Sequence, residues 1–91
     1  KLTGRRIAVC MPVHLFGHVA SLDELVTLCT EHGITLIEDS AEAMGSFYKG
    51  RHAGTVGQIG VLSFNGNKTI TTGGGGMVIT DDEAVAKRVR R

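Results

Sequence analysis

The chain has 91 residues, with 10 basic and 9 acidic side chains and a formal net charge of +1. This length allows one small domain, and a hydrophobic content of 42% is that of an ordinary globular protein. A charge so near zero gives no indication of a broad nucleic-acid or membrane-binding surface. These residues contain no apolar run that would span a bilayer and no signal-peptide pattern, so we expect a cytoplasmic protein.

The first third of the chain predicts a β-α-β unit. Residues 7–13 form a nearly continuous apolar run, which is typical of a strand buried on both faces. Ser21 and Glu24 form a capping box that opens a helix, and Gly33 is suited to end it. Residues 35–38 predict a second strand, which should run parallel to the first.

Two further strands are predicted over residues 59–64 and 77–80. The link between them is short, rich in glycine and without a helical pattern. Because a parallel crossover normally contains a helix, we expect these two strands to be antiparallel. Thr80 and Glu83 suggest a second capping box, which would open a terminal helix.

These elements predict an α/β fold whose sheet is mostly parallel with one antiparallel strand. Residues 40–58 are expected to be a long connection, with a helical turn over 41–44. A parallel sheet needs cover on both faces, and the two predicted helices are too few to provide it. We therefore expect residues 1–91 to be a single, partial domain of a larger protein.

An acid and an amine lie near the carboxyl ends of the predicted strands, where sheets of this kind bind their ligands. Asp39 follows the second strand at its carboxyl end, and Lys68 lies in the glycine-rich segment after the third strand. A pyridoxal phosphate enzyme needs this pair: the lysine forms a Schiff base with the cofactor, and the acid pairs with the pyridine nitrogen. The plain alternatives are that Asp39 caps a helix and that Lys68 is an inert, solvated lysine.

A phosphate-binding loop is a second interpretation of Lys68, and the spacing argues against it. The Walker pattern requires glycine immediately before the lysine and again five residues earlier. This chain has Asn67 and Leu62 at those positions. Ser63, at the end of the third strand, could bind a phosphate oxygen or simply close the strand.

A metal centre is a third interpretation, because five thiols and imidazoles lie in the first third of the chain. They contain no Cys-x-x-Cys pair, and the one His-x-x-x-His spacing lies in a predicted loop, so no metal ligand is predicted. The two cysteines lack the spacing of a disulfide framework and are expected to be reduced. The residues concerned are Cys10, His14, His18, Cys29 and His32.

Several short motifs occur together in a characteristic order, and nearly the whole chain takes part. In that order and at those intervals they resemble the DegT/DnrJ/EryC1/StrS family of pyridoxal phosphate-dependent sugar aminotransferases. The resemblance implies the large domain of the type I aminotransferase fold. The motifs are MPVHLFG at 11–17, IED at 37–39, YKG at 48–50, GQIG at 57–60, SF at 63–64, the Lys68 loop and GGM at 75–77.

The resemblance also implies roles for five residues. Lys68 would hold the cofactor and carry the proton between substrate and cofactor. Asp39 would be the partner of the pyridinium nitrogen, and Ser63 would bind the phosphate. Glu42 would lie near the cofactor and the sugar, and His14 would lie at the edge of the cofactor.

The branch that the Lys68 loop resembles acts on UDP-linked 4-keto-6-deoxy amino sugars, of the legionaminic acid and bacillosamine type. Gly74 departs from the glutamate that many relatives carry. The resemblance implies glutamate as amino donor and a homodimer, with neither nucleic acid nor membrane as partner. The alternative is a non-catalytic α/β module that retains the family core without activity.

Overall fold

The structure, a computed structural model, describes residues 3–91. No helix in that range is long and apolar enough to cross a bilayer. The described range contains the strands Val9–Cys10 (β1), Thr35–Asp39 (β2), Phe47–Tyr48 (β3), Arg51–His52 (β4), Ile59–Ser63 (β5) and Gly76–Ile79 (β6), the α-helices Leu22–His32 (α1) and Glu83–Val89 (α2), and a 3-10 turn at Leu15–Gly17.

The main sheet has the order β1-β2-β5-β6. Strands β1, β2 and β5 are parallel, and β6 runs antiparallel to β5. The expected α/β fold, mostly parallel with one reversed strand, is therefore confirmed. The reversed strand agrees with the link after β5, because residues 64–75 contain no helix, which a parallel crossover usually needs to carry the chain back to the starting edge of the sheet.

The prediction of a long first strand buried on both faces is wrong. Only Val9–Cys10 forms a ladder with β2, and after Pro12 a single parallel bridge joins Val13 to Asp39. Proline has no N–H to donate to a ladder. In the part of the chain that the structure describes, β1 is also an edge strand. Much of this segment is exposed as a result, including the apolar side chains of Ile7, Val9, Met11 and Val13.

Helix α1 starts and ends where the sequence predicted. Ser21 is its N-cap, although the side chain makes no capping hydrogen bond. Gly33 ends the helix in the left-handed conformation with φ of 60°, which glycine adopts without a steric cost. Leu22 and Cys29 lie on the inner face of the helix and are buried. Burial, together with the adjacent Cys10 thiol, raises the pKa of Cys29.

Helix α2 begins with a different cap from the predicted one. The side chain of Asp82 accepts hydrogen bonds from the N–H groups of Ala84 and Val85, at 2.8 and 3.1 Å. The Thr80 hydroxyl instead donates to the carbonyl oxygen of Gln58, at 2.9 Å. An acid at the N-cap also complements the positive end of the helix dipole, so Asp82 is the better cap of the two.

The connection between β2 and β5 contains no helix at 41–44 but two hydrogen-bonded turns, in which the N–H groups of Ala43 and Ser46 donate to the carbonyls of Ser40 and Ala43, and a hairpin follows them. Strands β3 and β4 pair antiparallel across a two-residue turn. Both turn residues, Lys49 and Gly50, have positive φ, at 47° and 83°. Two consecutive positive φ angles are what a tight β-hairpin turn of the primed type requires.

Side chains alternate between the two faces of the sheet along β2 and β5. Leu36 and Leu62 are buried on the inner face, where Gly60 pairs with Glu38. A Cβ at position 60 would lie 1.9 Å from the carbonyl oxygen of Gly54. Position 60 must therefore be glycine for the two segments to pack.

The carboxylate of Glu38 is completely buried on this inner face. Oε1 accepts hydrogen bonds from the N–H of Gly54 at 2.8 Å and from His14 Nε2 at 3.0 Å. Oε2 accepts from the N–H groups of Val56 and Gly57, at 2.7 and 2.6 Å. Four donors offset the cost of burying the charge. Burial by itself would raise the pKa of Glu38, but the bonds from Gly57, Gly54, His14 and Val56 lower it below its ordinary 4.5.

His14 is also completely buried, and its other ring nitrogen is engaged as well. Nδ1 accepts a hydrogen bond from the N–H of Ala20 at 3.2 Å. A nitrogen that accepts carries no proton, so the neutral ring has its proton on Nε2 and donates it to Glu38. His14 therefore fastens the loop after β1 to the inner face of β2.

Replacing Gly60 by alanine should lower the free energy of unfolding by about 3 kcal/mol, because the new Cβ would collide with the backbone of Gly54. Urea denaturation measures the change. Gly66→Ala is the matched control, since a Cβ there meets no atom within 4 Å, and it should change stability by less than about 0.5 kcal/mol. Equal stability for the two variants would contradict the close packing at Gly60.

Glu38→Gln should lower the free energy of unfolding at neutral pH by about 3 kcal/mol, because an amide cannot accept from all four donors. The pH dependence gives a second test. Since folding lowers the pKa of Glu38, its stabilising contribution is full above its ordinary 4.5 and is lost as the pH falls through the folded value. The parent should therefore lose stability on acidification more steeply than Glu38→Gln. The exposed Glu31→Gln should behave like the parent, and identical profiles for Glu38→Gln and the parent would contradict the assignment.

Candidate functional site

Two of the predicted site residues, Asp39 and Ser63, lie at the carboxyl edge of the sheet. Asp39 is the last residue of β2 and Ser63 is the last residue of β5. These strands are parallel neighbours in which Asp39 pairs with Val61, two residues before Ser63. Asp39 and Ser63 therefore share the outer face of the sheet, opposite to Glu38, at the edge where open α/β sheets bind ligands.

Lys68 lies in the loop that follows β5, and it meets Glu42 there. Its Nζ is 3.8 Å from Glu42 Oε1, and 19% of the lysine side chain is exposed. The distance is too long for a direct hydrogen bond but close enough for electrostatic attraction. The amine is thus sheltered and oriented by a carboxylate without being locked to it.

Backbone hydrogen bonds hold the Lys68 loop in place. The N–H of Phe64 donates to the carbonyl of Gly75 at 2.9 Å, and that of Thr72 donates back to the carbonyl of Phe64 at 3.0 Å. Within the loop, the N–H of Lys68 donates to the carbonyl of Asn65 at 3.0 Å. The amine is therefore carried by a structured loop whose two ends are joined beside β5 and β6.

Glu42 links this loop to the segment that follows β1. Its Oε2 accepts a hydrogen bond from the backbone N–H of Phe16 at 3.1 Å, while Oε1 faces Lys68. Glu42 lies three residues after the end of β2, in a turn where the N–H of Ala43 donates to the carbonyl of Ser40 at 3.0 Å. One carboxylate thus joins elements that come from three parts of the chain.

A cleft of about 430 Å³ opens beside Lys68 and Glu42, and Asp39, Ser63 and His14 are not among its lining residues. Its volume falls within the range of small-molecule sites. It combines one amine and one carboxylate with apolar and uncharged polar side chains. The lining residues are Phe16, Gly17, Glu42, Met44, Ser46, Asn67, Lys68 and Thr69.

Asp39 is fixed by the backbone around it. Its N–H donates to the carbonyl of Pro12 at 2.9 Å, and its carbonyl accepts from the N–H of His14 at 3.0 Å. Oδ1 accepts from the N–H of Ala41 at 3.1 Å. That bond orients the carboxylate and leaves its other oxygen available, since the structure shows no hydrogen bond to Oδ2 within residues 3–91.

Ser63 and His14 differ in how accessible they are. Ser63 is half-buried, and its hydroxyl makes one long contact with the N–H of Asn65, at 3.4 Å, so it retains capacity for a ligand. The ring of His14 has no exposed surface, and both of its nitrogens are engaged with Glu38 and Ala20. The structure therefore brings Lys68 together with Glu42, but it places His14 in the core.

Three residues that contribute to this region were not predicted from the sequence. Phe16 was named only as part of the MPVHLFG motif, Ser46 lies in the long connection after β2, and no periodic pattern pointed to either residue. Glu38 had a detectable signal, because a charged residue inside an otherwise apolar strand must have buried partners. Its neighbour Asp39 has the more conspicuous position, at the strand end where ligand sites are expected.

Comparison with known proteins agrees with this architecture. The profile of the DegT/DnrJ/EryC1/StrS aminotransferase family matches residues 1–91. EpsN of Bacillus subtilis, whose name describes a pyridoxal phosphate-dependent aminotransferase, is 47% identical over 90 residues, which are 99% of this chain and 23% of EpsN. The GDP-perosamine synthase of Escherichia coli O157:H7 is 49% identical over 88 residues, covering 97% of this chain and 24% of the synthase.

A solved structure gives the same result for the fold. The crystal structure of DesI, analysed in the presence of its TDP-sugar product, superposes with a TM-score of 0.87 at 40% identity, covering 96% of this chain and 22% of DesI. The chain thus spans about a quarter of the length of the relatives it matches. With sequence, sheet topology and neighbouring structures in agreement, the chain belongs to the DegT/DnrJ/EryC1/StrS aminotransferase family.

Proposed function

We propose that the protein carrying this chain transfers an amino group to the keto group of a nucleotide-linked 4-keto-6-deoxy sugar, with pyridoxal phosphate as cofactor and glutamate as the amino donor. The observation that carries the proposal is the sheltered amine of Lys68, 3.8 Å from Glu42. It lies on a structured loop at the sheet edge where Asp39 and Ser63 also end their strands. Family membership supports the same class of reaction.

The chemistry of these side chains fits pyridoxal phosphate. When bound, this cofactor supplies an aldehyde that takes up an amine and a ring that withdraws electrons. Lys68 is the amine that would attach it. Asp39 offers a carboxylate with one oxygen available for the ring nitrogen, and Ser63 offers a hydroxyl for the phosphate.

Each residue then has a distinct task. Lys68 Nζ would carry the proton between substrate and cofactor, and its loose contact with Glu42 would allow the movement that this requires. The Asp39 carboxylate would favour the protonated ring nitrogen, which would preserve the electron-withdrawing character of the ring. Glu42 positions the amine and the substrate. His14 acts on this site only by holding the backbone before Phe16.

The nucleotide of the substrate is a finer part of the proposal. The Lys68 loop resembles the branch acting on UDP-linked amino sugars, whereas relatives carry names referring to GDP-perosamine and to a TDP-sugar product. We retain the UDP-linked substrate as the proposal and the other two nucleotides as its alternatives. The partial single domain, the homodimer and the cytoplasmic location remain predictions.

A non-catalytic module that keeps the family core is the competing function. It predicts the same fold but no selective reaction of Lys68 with the cofactor. The cleft around Lys68 and Glu42 favours the enzyme, because a carboxylate beside a sheltered amine serves no evident need of the core. Covalent labelling distinguishes the two.

Incubation with pyridoxal phosphate, borohydride reduction and peptide mapping should give one dominant adduct, on the peptide that contains Lys68. Lys68→Ala should abolish this adduct and leave the fold intact, because the loop is held by its backbone bonds. Lys49→Ala removes an exposed lysine and should leave labelling unchanged. Scattered labelling of the parent protein, or an adduct on the same peptide after Lys68→Ala, would reject the assignment.

Asp39→Asn keeps the shape of the side chain and removes its charge. In the full-length protein, this variant should lower kcat at least about a hundredfold. The cofactor should also be retained less tightly during dialysis. The exposed Asp81→Asn is the control and should affect neither quantity. Turnover of Asp39→Asn at the parental rate would remove Asp39 from the mechanism.

A further inference from the structure

Phe16 is held in a conformation that a non-glycine residue seldom adopts. Its φ and ψ are 51° and 33°, in the left-handed region. This geometry costs an L-residue on the order of 1 kcal/mol or more. Strain of this kind persists only where surrounding contacts impose it, and it occurs preferentially at functional sites.

The contact that imposes it comes from the candidate site itself. Glu42 Oε2 accepts the backbone N–H of Phe16 at 3.1 Å. The turn is also closed by the N–H of His18, which donates to the carbonyl of Leu15 at 2.9 Å. On its other side, a Cβ on Gly17 would lie 3.2 Å from Ser46 Oγ, so the turn sits close against the next segment. The backbone of Phe16 is thus fixed by the same carboxylate that faces Lys68.

This arrangement leaves Phe16 85% exposed at the cleft. An exposed aromatic ring on a strained, fastened backbone is poorly explained by packing within the described residues. Its neighbours in the cleft include Met44 and the uncharged hydrogen-bonding side chains of Ser46, Asn67 and Thr69. An apolar ring surrounded by such groups suits a ligand that has both an apolar face and hydroxyl groups.

A pyranose ring has that combination, because its C–H groups form an apolar face and its hydroxyls point outwards. Glutamate does not match, since it is acyclic and carries two carboxylates. Lys68 is the one cation that lines the cleft within residues 3–91, and Glu42 would repel a further anion. The cleft beside Phe16 therefore favours the sugar over the amino donor.

We propose that Phe16 contacts the apolar face of the sugar ring of the acceptor, and that Glu42 holds it in position for that contact. The inference rests on the proposed function and adds a specificity-determining residue to it. Aromatic contacts of this kind change affinity by severalfold. The effect should appear in the handling of the acceptor and not in that of the donor.

The kinetic test uses the full-length protein. Phe16→Ala should raise the KM for the nucleotide sugar about fivefold and leave the KM for glutamate unchanged, and Phe16→Tyr should restore the parental value. Phe47→Ala is the matched control, because Phe47 is also an exposed aromatic (64%) and lies outside the cleft lining. An equal rise in both KM values, or none in either, would overturn the proposal.

A binding test needs neither turnover nor cofactor. These 91 residues contain no tryptophan, so Phe16→Trp adds a fluorescent reporter at this position. Its signal is the fluorescence of the variant minus that of the parent protein. In cofactor-free protein, UDP-N-acetylglucosamine or GDP-mannose should change this fluorescence saturably, whereas UDP, GDP and glutamate should not. A response to the free nucleotides would assign the ring to the base and overturn the proposal, as would no response to either nucleotide sugar. Cofactor labelling of Lys68 is measured in a separate experiment. Failure of the proposed function can therefore be distinguished from failure of the proposed role of Phe16.

Discussion

The buried carboxylate of Glu38 is the group on which the carboxyl edge of the sheet depends. A carboxylate without water is tolerated only when its oxygens are fully hydrogen-bonded, so its four donors must keep one arrangement. Three of them are amides of the turn at 54–57, which packs its backbone directly on Gly60. The fourth is His14, which carries the loop after β1. The core is therefore specified here by a polar contact as much as by apolar burial.

The sequence specified the topology better than the ends of the elements. The antiparallel strand followed from the missing helical pattern of one link, and the end of α1 followed from the left-handed preference of Gly33, both of which are local rules. Pro12 is a local reason for the short first strand, whereas the pairing of β1 with β2 alone, within the described residues, depends on neighbours that no local pattern contains. Thr80 and Asp82 both suit an N-cap. The hydroxyl of Thr80 is engaged by the segment before β5, so Asp82 is the residue that caps α2.

The candidate site was predictable to the extent that its chemistry is local. Lys68 and Asp39 were recognisable from their positions after strands, and the structure adds the contact between Lys68 and Glu42. His14 illustrates the limit, because an imidazole that binds a ligand and one that binds a buried acid 24 residues away have the same sequence signature. Glu38 and Asp39 are adjacent in sequence, yet alternation along β2 sends one into the core and the other towards the site.

Glu42 makes two contacts that differ in tightness, and the difference has a functional meaning. The hydrogen bond to the backbone of Phe16 is short enough to fix the aromatic residue, whereas the separation of 3.8 Å from Lys68 Nζ leaves the amine free to rotate. Under the proposed function, Lys68 would have to move in order to attach the cofactor and carry a proton, whereas Phe16 would have to stay still in order to select the substrate. The asymmetric geometry of Glu42 suits both requirements, so on this proposal removing its charge should disturb substrate selection and the orientation of the amine together.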